Sequence, residues 1–506
     1  MPQGLLGFHY EDDSPSAATT ALGGLPAYLD LILASGLKDS IARRVRAAGK
    51  QGWTDVQALV SLILLNLTGG DCVEDLEGLE KDTGLTRVLR KFETHGLKQR
   101  RRRALAARHR RGRQRTVPSP VAMLSYLARF HDQAEEAKRE DGKAFIPAAL
   151  AALRGLLGVN RDLVGFVQRK RPMRRATLDM DATLVETHKK QALFCYKHFR
   201  AYQPLNTWWA EQGVMLHTEF RDGNVPAGHQ QLRVFQEALA CLPAGVEEVF
   251  MRSDTAGYQR DLLRYCAQGE NERFGVIGFA VGADVTPAFK RAVAVLPDSA
   301  WQPLLRKLDD GSSLDTGQQW AEVCFVPNWA GYSKNAPDYR YLAIREPLQQ
   351  AALPSLEPTQ EELPFPTMSF GREHYKLFGL VSNRDLPGDE LIWWSRERCG
   401  KSEQAHAVMK HDLAGGKLPS QLFGANAAWW LAMVLAHNLN VAMTSLVLGD
   451  GWGGKRLKAI RYHLINLPGR VLSHGRRLVL RLAHGHPSLT ILLAARQRIA
   501  ALAQGP

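Results

Sequence analysis

The spacing of apolar and polar positions changes character along the chain. Through the first ninety or so residues, apolar side chains recur at helical intervals. Ala58–Leu67 (ALVSLILLNL) is an apolar run too short to cross a bilayer; Gly69 and Gly70 follow it, then VEDLEGLEKDTGL at helical spacing. Two helices joined by a glycine-bearing turn fit either a helix-turn-helix or a plain helical bundle. VPSP (Val117–Pro120) interrupts the pattern, and MLSYLARFHDQAEEAK and AALAALRGLLG predict further helices. From about Arg171, period-two alternation takes over. ATLDMDATLVET predicts a strand, and NTWWAEQGVMLHTEF predicts a hairpin turning at Glu211-Gln212-Gly213. An amphipathic helix (AGHQQLRVFQEALACL), a strand (VEEVFMRS), a helix (QRDLLRYCAQ) and a strand (RFGVIGFAV) complete the series. Hairpins followed by βα units predict an α/β fold, a mixed sheet with helices packed on it.

Residues from about Asp284 to Tyr375 interrupt that order with β-like pieces (WAEVCFV, YRYLAIREPL) between Pro- and Gly-rich loops. YKLFGLVSNRD predicts a returning strand, and KSEQAHAVMKHDLAGG a long helix stopped by Gly415-Gly416. The expected organisation is a helical, DNA-binding region over 1–97, a basic arm over 98–117 and a helical segment over 118–170. The first part of the core follows over 171–285, a β-rich insertion over 286–375, the second part of the core over 376–448 and a basic helical tail over 449–506. Asn426–Leu448 is long and apolar but contains His437, Asn438 and Asn440, which predicts a buried helix and no membrane partner.

Charge sharpens this picture. The 506 residues carry a formal net charge of +14. Lys98–Arg115 holds ten Lys or Arg and no acid, and Lys455–Pro506 holds another ten and no acid. These two segments supply +20, so the remainder sums to −6. A mildly acidic body with two basic segments implies a polyanionic partner, first of all nucleic acid. The six cysteines form no CxxC pair, which excludes a zinc ribbon and suggests a reduced, cytoplasmic setting. The first residues lack the basic start and apolar run of a signal peptide.

Asp179 and Asp181 share one face of the predicted strand with Thr177 and Thr183, whereas Leu178, Met180 and Leu184 hold the other. Two carboxylates on a buried strand need a positive partner. Asp254 ends another predicted strand, where α/β sites tend to lie, and Glu403 opens a predicted helix. Converging carboxylates repel one another until a cation joins them. Hard oxygen ligands suit Mg²⁺, and two such ions serve phosphodiester chemistry.

These blocks resemble a family. RATLDMDATLVET, FMRSDTAGY and WWSRERCGKSEQAHAVMK followed by LAGGKLPSQLFGANAAWW resemble the three catalytic blocks of the Asp-Asp-Glu transposases of bacterial insertion sequences, over roughly Arg171–Asn440. The β-rich insertion matches the subgroup with a Tyr-Arg-Glu-Lys signature. The resemblance implies an RNase H-like core that cuts element ends at terminal inverted repeats and joins the freed 3′-OH to target DNA. It implies two Mg²⁺ ions, replaceable by Mn²⁺, held by Asp181, Asp254 and Glu403. Double-stranded DNA is the implied partner, with a homodimer in the synaptic complex at the bacterial nucleoid. Within the signature, Trp394 stands where Tyr is usual, and Arg398 precedes Glu403 by one residue more than usual. Lys410 follows Glu403 by seven, about two α-helical turns, and would contact phosphate.

The expected DNA contacts are Arg398, Lys410, Arg252, Lys401 and the arm residues Arg100, Arg101, Arg102 and Arg103. For Arg252 a structural ion pair is an equal alternative, and Asp179 is expected to serve order within the strand. Trp320 and Trp329 are expected in the core rather than stacked on a flipped base. His188, Lys189 and Lys190 fit phosphate contact or a solvated loop equally well. A metal-dependent nuclease, or a DNA-binding regulator with an inactive core, is the alternative activity. GDGWGGKR has the spacing of a phosphate loop but ends in Arg where Ser or Thr is needed, so ATP binding is not expected.

Overall fold

A computed structural model describes residues 18–49, 52–111, 115–140, 142–308, 310–329, 339–348, 365–370, 373–398, 405–474 and 477–504. The chain forms two bodies. One comprises Met1–Arg171, Val185–Tyr202 and Ala407–Pro506; the other comprises Pro172–Leu184 and Gln203–His406. Among the described residues, fifteen strands run in chain order: β1 Thr19–Thr20, β2 Arg175–Ala182, β3 Val185–Glu186, β4 Ala201–Tyr202, β5 Leu205–Trp209, β6 Val214–Glu219, β7 Glu248–Ser253, β8 Gly278–Ala283, β9 Gln302–Lys307, β10 Ser313–Val323, β11 Arg340–Pro347, β12 Thr367–Phe370, β13 Glu373–Ser382, β14 Gly469–His474 and β15 Arg477–Leu482.

The second body is built on one mixed sheet in the order β6-β5-β2-β7-β8-β13-β11-β10-β9, with β12 beside β13. β2 is antiparallel to β5 and parallel to β7, and β7 is parallel to β8. The predicted hairpin is β5–β6, and Gly213 at its turn has a φ of 68°, which Gly adopts without a Cβ clash. Leu178 and Met180 are fully buried on one face of β2, as the alternation requires.

The β-rich segment does not make a sheet of its own. Its strands extend the core sheet, because β13 pairs antiparallel with β8. The helix Gly388–Arg396 covers this extension through Leu391 and Ile392, which join Leu304, Trp320, Leu342 and Ile344 in one apolar cluster. Gly388 permits that approach, since a Cβ there would lie 2.1 Å from the Trp320 ring. Trp320 is therefore core.

The first body is mainly helical. Its centre is Phe423–Ala442, buried along nearly its whole length and packed on Ala151–Lys170 and Asp55–Thr68. Two of the polar residues that interrupt its apolar run are satisfied internally: Asn438 Nδ2 donates to Asn160 Oδ1 at 2.7 Å, and Tyr28 donates to Asn440 at 2.8 Å. A capping box formed by Thr54 and Gln57 starts Asp55–Thr68. That helix meets Val73–Lys81 at a bend of 97°, an angle within the range of a helix-turn-helix. The arm residues Arg100–Arg103 are exposed on the helix Gln99–Arg111.

Two expectations change here. The C-terminal segment is not helical throughout. It contains β14 and β15, which join β1 in a three-stranded sheet, before the helix Ser488–Ala503. Pro468 ends the preceding helical turn, and Val471 and Val479 within the alternation of RVLSH and RLVLRL suit strands. The helix expected over Lys401–Gly416 is also not uniformly α. Val408–Asp412, which carries Lys410, is a π turn. Lys410 lies in the first body, whereas Lys401 and Glu403 lie outside the described residues.

Candidate active site

The site is set by the parallel joint between β2 and β7. Its register pairs Thr177 with Phe250, Asp179 with Arg252 and Met180 with Ser253. One step further along each strand stand Asp181 and Asp254. Strand alternation therefore places Asp181 and Asp254 on the sheet face that also carries Asp179 and Arg252. Neighbouring strands lie roughly 4.8 Å apart, which brings the two carboxylate-bearing positions side by side. Asp254 also caps the turn that follows it, accepting from the Ala256 amide at 3.1 Å.

Asp181 is held from two directions. Arg398 Nη1 lies 3.5 Å from its Oδ2, and His406 Nδ1 lies 3.6 Å from the same oxygen. Arg398 stands just past the C-cap of the helix Gly388–Arg396, and the offset signature arginine reaches the first carboxylate. The histidine is oriented from behind. Asn206, which faces Asp181 in the β2–β5 register, places Nδ2 3.2 Å from His406 Nε2. Thr218 donates to Asn206 Oδ1 at 2.7 Å. That donation assigns the Asn206 amide as the donor toward Nε2, leaving the Nδ1 proton facing Asp181. Sequence reading missed His406 and Asn206. The signal for His406 was its place in the third block, three residues after Glu403. Asn206 becomes visible only once the hairpin register is known.

Arg252 makes the structural ion pair that was its alternative role. Its guanidinium is buried, with Nε 2.6 Å and Nη2 3.0 Å from the two oxygens of Asp179. Its Nη1 donates to the Trp394 carbonyl at 2.6 Å and to Glu397 at 3.1 Å. Burial pushes the Asp179 carboxyl above the ordinary aspartate value, against the pull of Arg252. Asp179 thus has a structural task. Beside this pair a cleft of about 400 Å³ opens on the same sheet face, lined by Arg175, Phe250, Arg384, Glu390 and Trp394 among others. Arg384 stacks over Phe250 and Trp394 at 4.4 and 4.1 Å.

Trp329 is half-buried against Tyr258, which follows the Asp254 turn, with ring centroids 6.0 Å apart. His188 and Lys189 lie in the first body, in a separate cleft with Glu186 and Lys417. Among the described residues, no three His, Cys, Asp or Glu side chains are gathered closely enough to hold a metal ion. Asp181 and Asp254 present hard oxygen donors of the kind Mg²⁺ prefers, and they fit two corners of such a site.

The model of the family described as transposase DDE domain group 1 matches residues 33–312 and 380–504. The chain belongs to that family of DDE transposases. No curated protein matches it by sequence. Among solved structures, the piggyBac transposase, determined by cryo-electron microscopy as a synaptic complex with hairpin DNA, is similar at 9% identity and a TM-score of 0.44. The match covers 86% of this chain and 79% of that one.

Proposed function

We propose that this DDE transposase is the enzyme of an insertion sequence, cutting its element's ends at terminal inverted repeats and joining them to target DNA. The observation that carries this reading is the placement of Asp181 and Asp254 at adjacent positions of two parallel strands, with Arg398 and His406 on Asp181. The strand order β6-β5-β2-β7-β8, with β5 alone running against its neighbours, supports an RNase H-like core. Asp181, Asp254 and Glu403 would hold the divalent ions, which when bound supply Lewis-acid stabilisation of the charge that develops at phosphorus.

The protein's own residues have separate tasks in this reading. The rigid β2–β7 joint fixes two ligands relative to each other. Arg398 neutralises Asp181, and His406 helps to orient it. In the first reaction a water oxygen attacks the phosphorus at the element's end, and the 3′ oxygen leaves as a hydroxyl. In the second, that 3′-OH attacks a target phosphodiester, so one P–O bond forms as another breaks. The exposed Arg100–Arg103 would hold phosphates, and pairing of two ends would require at least a dimer.

The test is incubation of the protein with Mg²⁺ or Mn²⁺ and a plasmid carrying the DNA that borders its gene. Cuts at the border and joined products, both lost in D181N, D254N and E403Q, are expected. Cuts without joined products would identify a nuclease. Undiminished cutting by D181N would remove this site from the reaction.

A further inference from the structure

β14 and β15 form an antiparallel ribbon in which β14 is central and β15 is the open edge. Its two faces differ sharply. Val471, Leu478, Leu480 and Leu482 point to one side, where Val471 is fully buried. The Cδ2 atoms of Leu480 and Leu482 close over Gly23, whose Cβ would lie 2.9 Å from Leu482 Cδ2. The ribbon is braced there by Val471, whose amide donates to the Ala18 carbonyl at 2.8 Å and whose carbonyl accepts from Arg87 at 3.2 Å.

The register places the other residues on the outer face. Arg470 pairs with Arg481, Leu472 with Val479, and His474 with Arg477. Arg470, His474, Arg477, Val479 and Arg481 are all exposed. An arginine pair and a His–Arg pair thus flank one apolar pair, on a segment that contains no acidic residue from Lys455 to Pro506. A solvent-facing ribbon normally mixes charge signs, so a face of one sign marks a polyanion surface.

We propose that this outer face enters the major groove of double-stranded DNA and reads bases there. The inference rests on the transposase reading above. A two-stranded ribbon fits a major groove about 12 Å wide. Arg477 and Arg481 are four residues apart on one strand, hence ~13 Å, close to four base-pair steps of about 3.4 Å. Each guanidinium can donate two bonds to a guanine edge, and the Leu472–Val479 pair between them suits a thymine methyl. Fixing the ribbon's inner face against Gly23 gives the outer side chains a rigid base, which base reading needs and phosphate attraction does not.

The experiment measures binding of the full chain to labelled duplexes by fluorescence anisotropy across a salt series. One duplex carries the DNA bordering the gene, and the other is a shuffled sequence of equal composition. R477A/R481A is expected to lose about tenfold or more in affinity for the border duplex and much less for the shuffled one. R477K/R481K is expected to keep the salt dependence but lose the preference, because an ammonium keeps the charge without the fork. Both substitutions are at exposed positions, and unchanged thermal melting shows that the fold is intact. Wild-type affinity and preference in R477A/R481A would overturn the ribbon, and border cutting by the wild type would leave the transposase reading standing. Loss of binding to phosphatidylserine vesicles with DNA binding intact would also overturn it. A wild type that binds neither duplex would overturn both readings.

Discussion

Asp179 and Arg252 face each other across the β2–β7 joint as a two-point ion pair, 2.6 and 3.0 Å, with each side chain only 1% exposed. The pair lies one alternation below Asp181 and Asp254, so its geometry sets the spacing of the strands that bear them. R252M would leave a buried carboxylate without its cation and is expected to destabilise the protein by about 3–5 kcal/mol. D179L/R252M, which removes both charges, should recover much of that loss. Thermal melting of the single and double variants checks this, and a double variant no more stable than R252M alone would contradict it.

His406 and Asn206 act on the first carboxylate without being placed as its metal partners. N206L frees the ring nitrogen that Asn206 now engages, and H406A removes the ring. Each is expected to lower DNA cleavage by about 10–100-fold, the usual effect of groups that orient a ligand. DNA affinity should not change. A variant that loses binding and cleavage together would show a folding defect, and unchanged cleavage would leave the two residues without a part in the reaction.

A second charge network predicts a pH response. His217 Nε2 is 3.2 Å from Glu237 Oε2, an ion pair rather than an aligned hydrogen bond. Burial lowers the His217 value, but the Cys241 and Glu237 side chains overcome it and raise it to about 9. Glu237 falls to about 2, drawn down by His217 and Arg233 against burial. The histidine's contribution is complete below its ordinary value of 6.5 and is lost as pH rises through about 9. The glutamate's contribution is complete above 4.5 and is lost as pH falls through about 2. Melting temperature should therefore decline between those two histidine values, and H217Q should flatten that decline. A wild-type melting temperature that rises over the same interval would refute the assignment.

The arm offers a simpler measurement. Arg100–Arg103 are exposed on one helix, and each phosphate neutralised by such a side chain adds about 0.9 to the slope of log affinity against log salt. Replacing all four by Ala should reduce that slope by as much as ~4 on any duplex, border or shuffled. An unchanged slope would mean that the arm does not touch DNA.

The elements of the sheet were legible because local pattern determines them. Period two marked β2 and its two faces, and Glu211-Gln212-Gly213 marked the hairpin. Asp181 and Asp254 were legible as candidates by their strand positions. Non-local pairing was not. Nothing in Tyr375–Ser382 states that its strand joins β8 and so merges the β-rich segment with the core sheet. Arg252 looked like any cation beside an acidic residue until the parallel register set it opposite Asp179. The C-terminal ribbon was hidden by its leucines, which suit helix and strand almost equally. The π turn at Lys410 depends on how backbone carbonyls around Met409–Gly416 are satisfied, which residue spacing does not encode.

β1 and β14 come from opposite ends of the chain, with Thr19 beside Arg470 and Thr20 beside Gly469. A ribosome releases the first partner long before it makes the second. Until Gly469–His474 is made, the small sheet lacks its middle strand, and Thr19–Thr20 lacks its strand partner. Contacts this distant in sequence form late and slowly. A chain stopped before Gly469 would therefore carry the strands of Asp181 and Asp254 but neither strand of the ribbon, so the surface assigned here to DNA is completed by residues made long after the sheet's first strand.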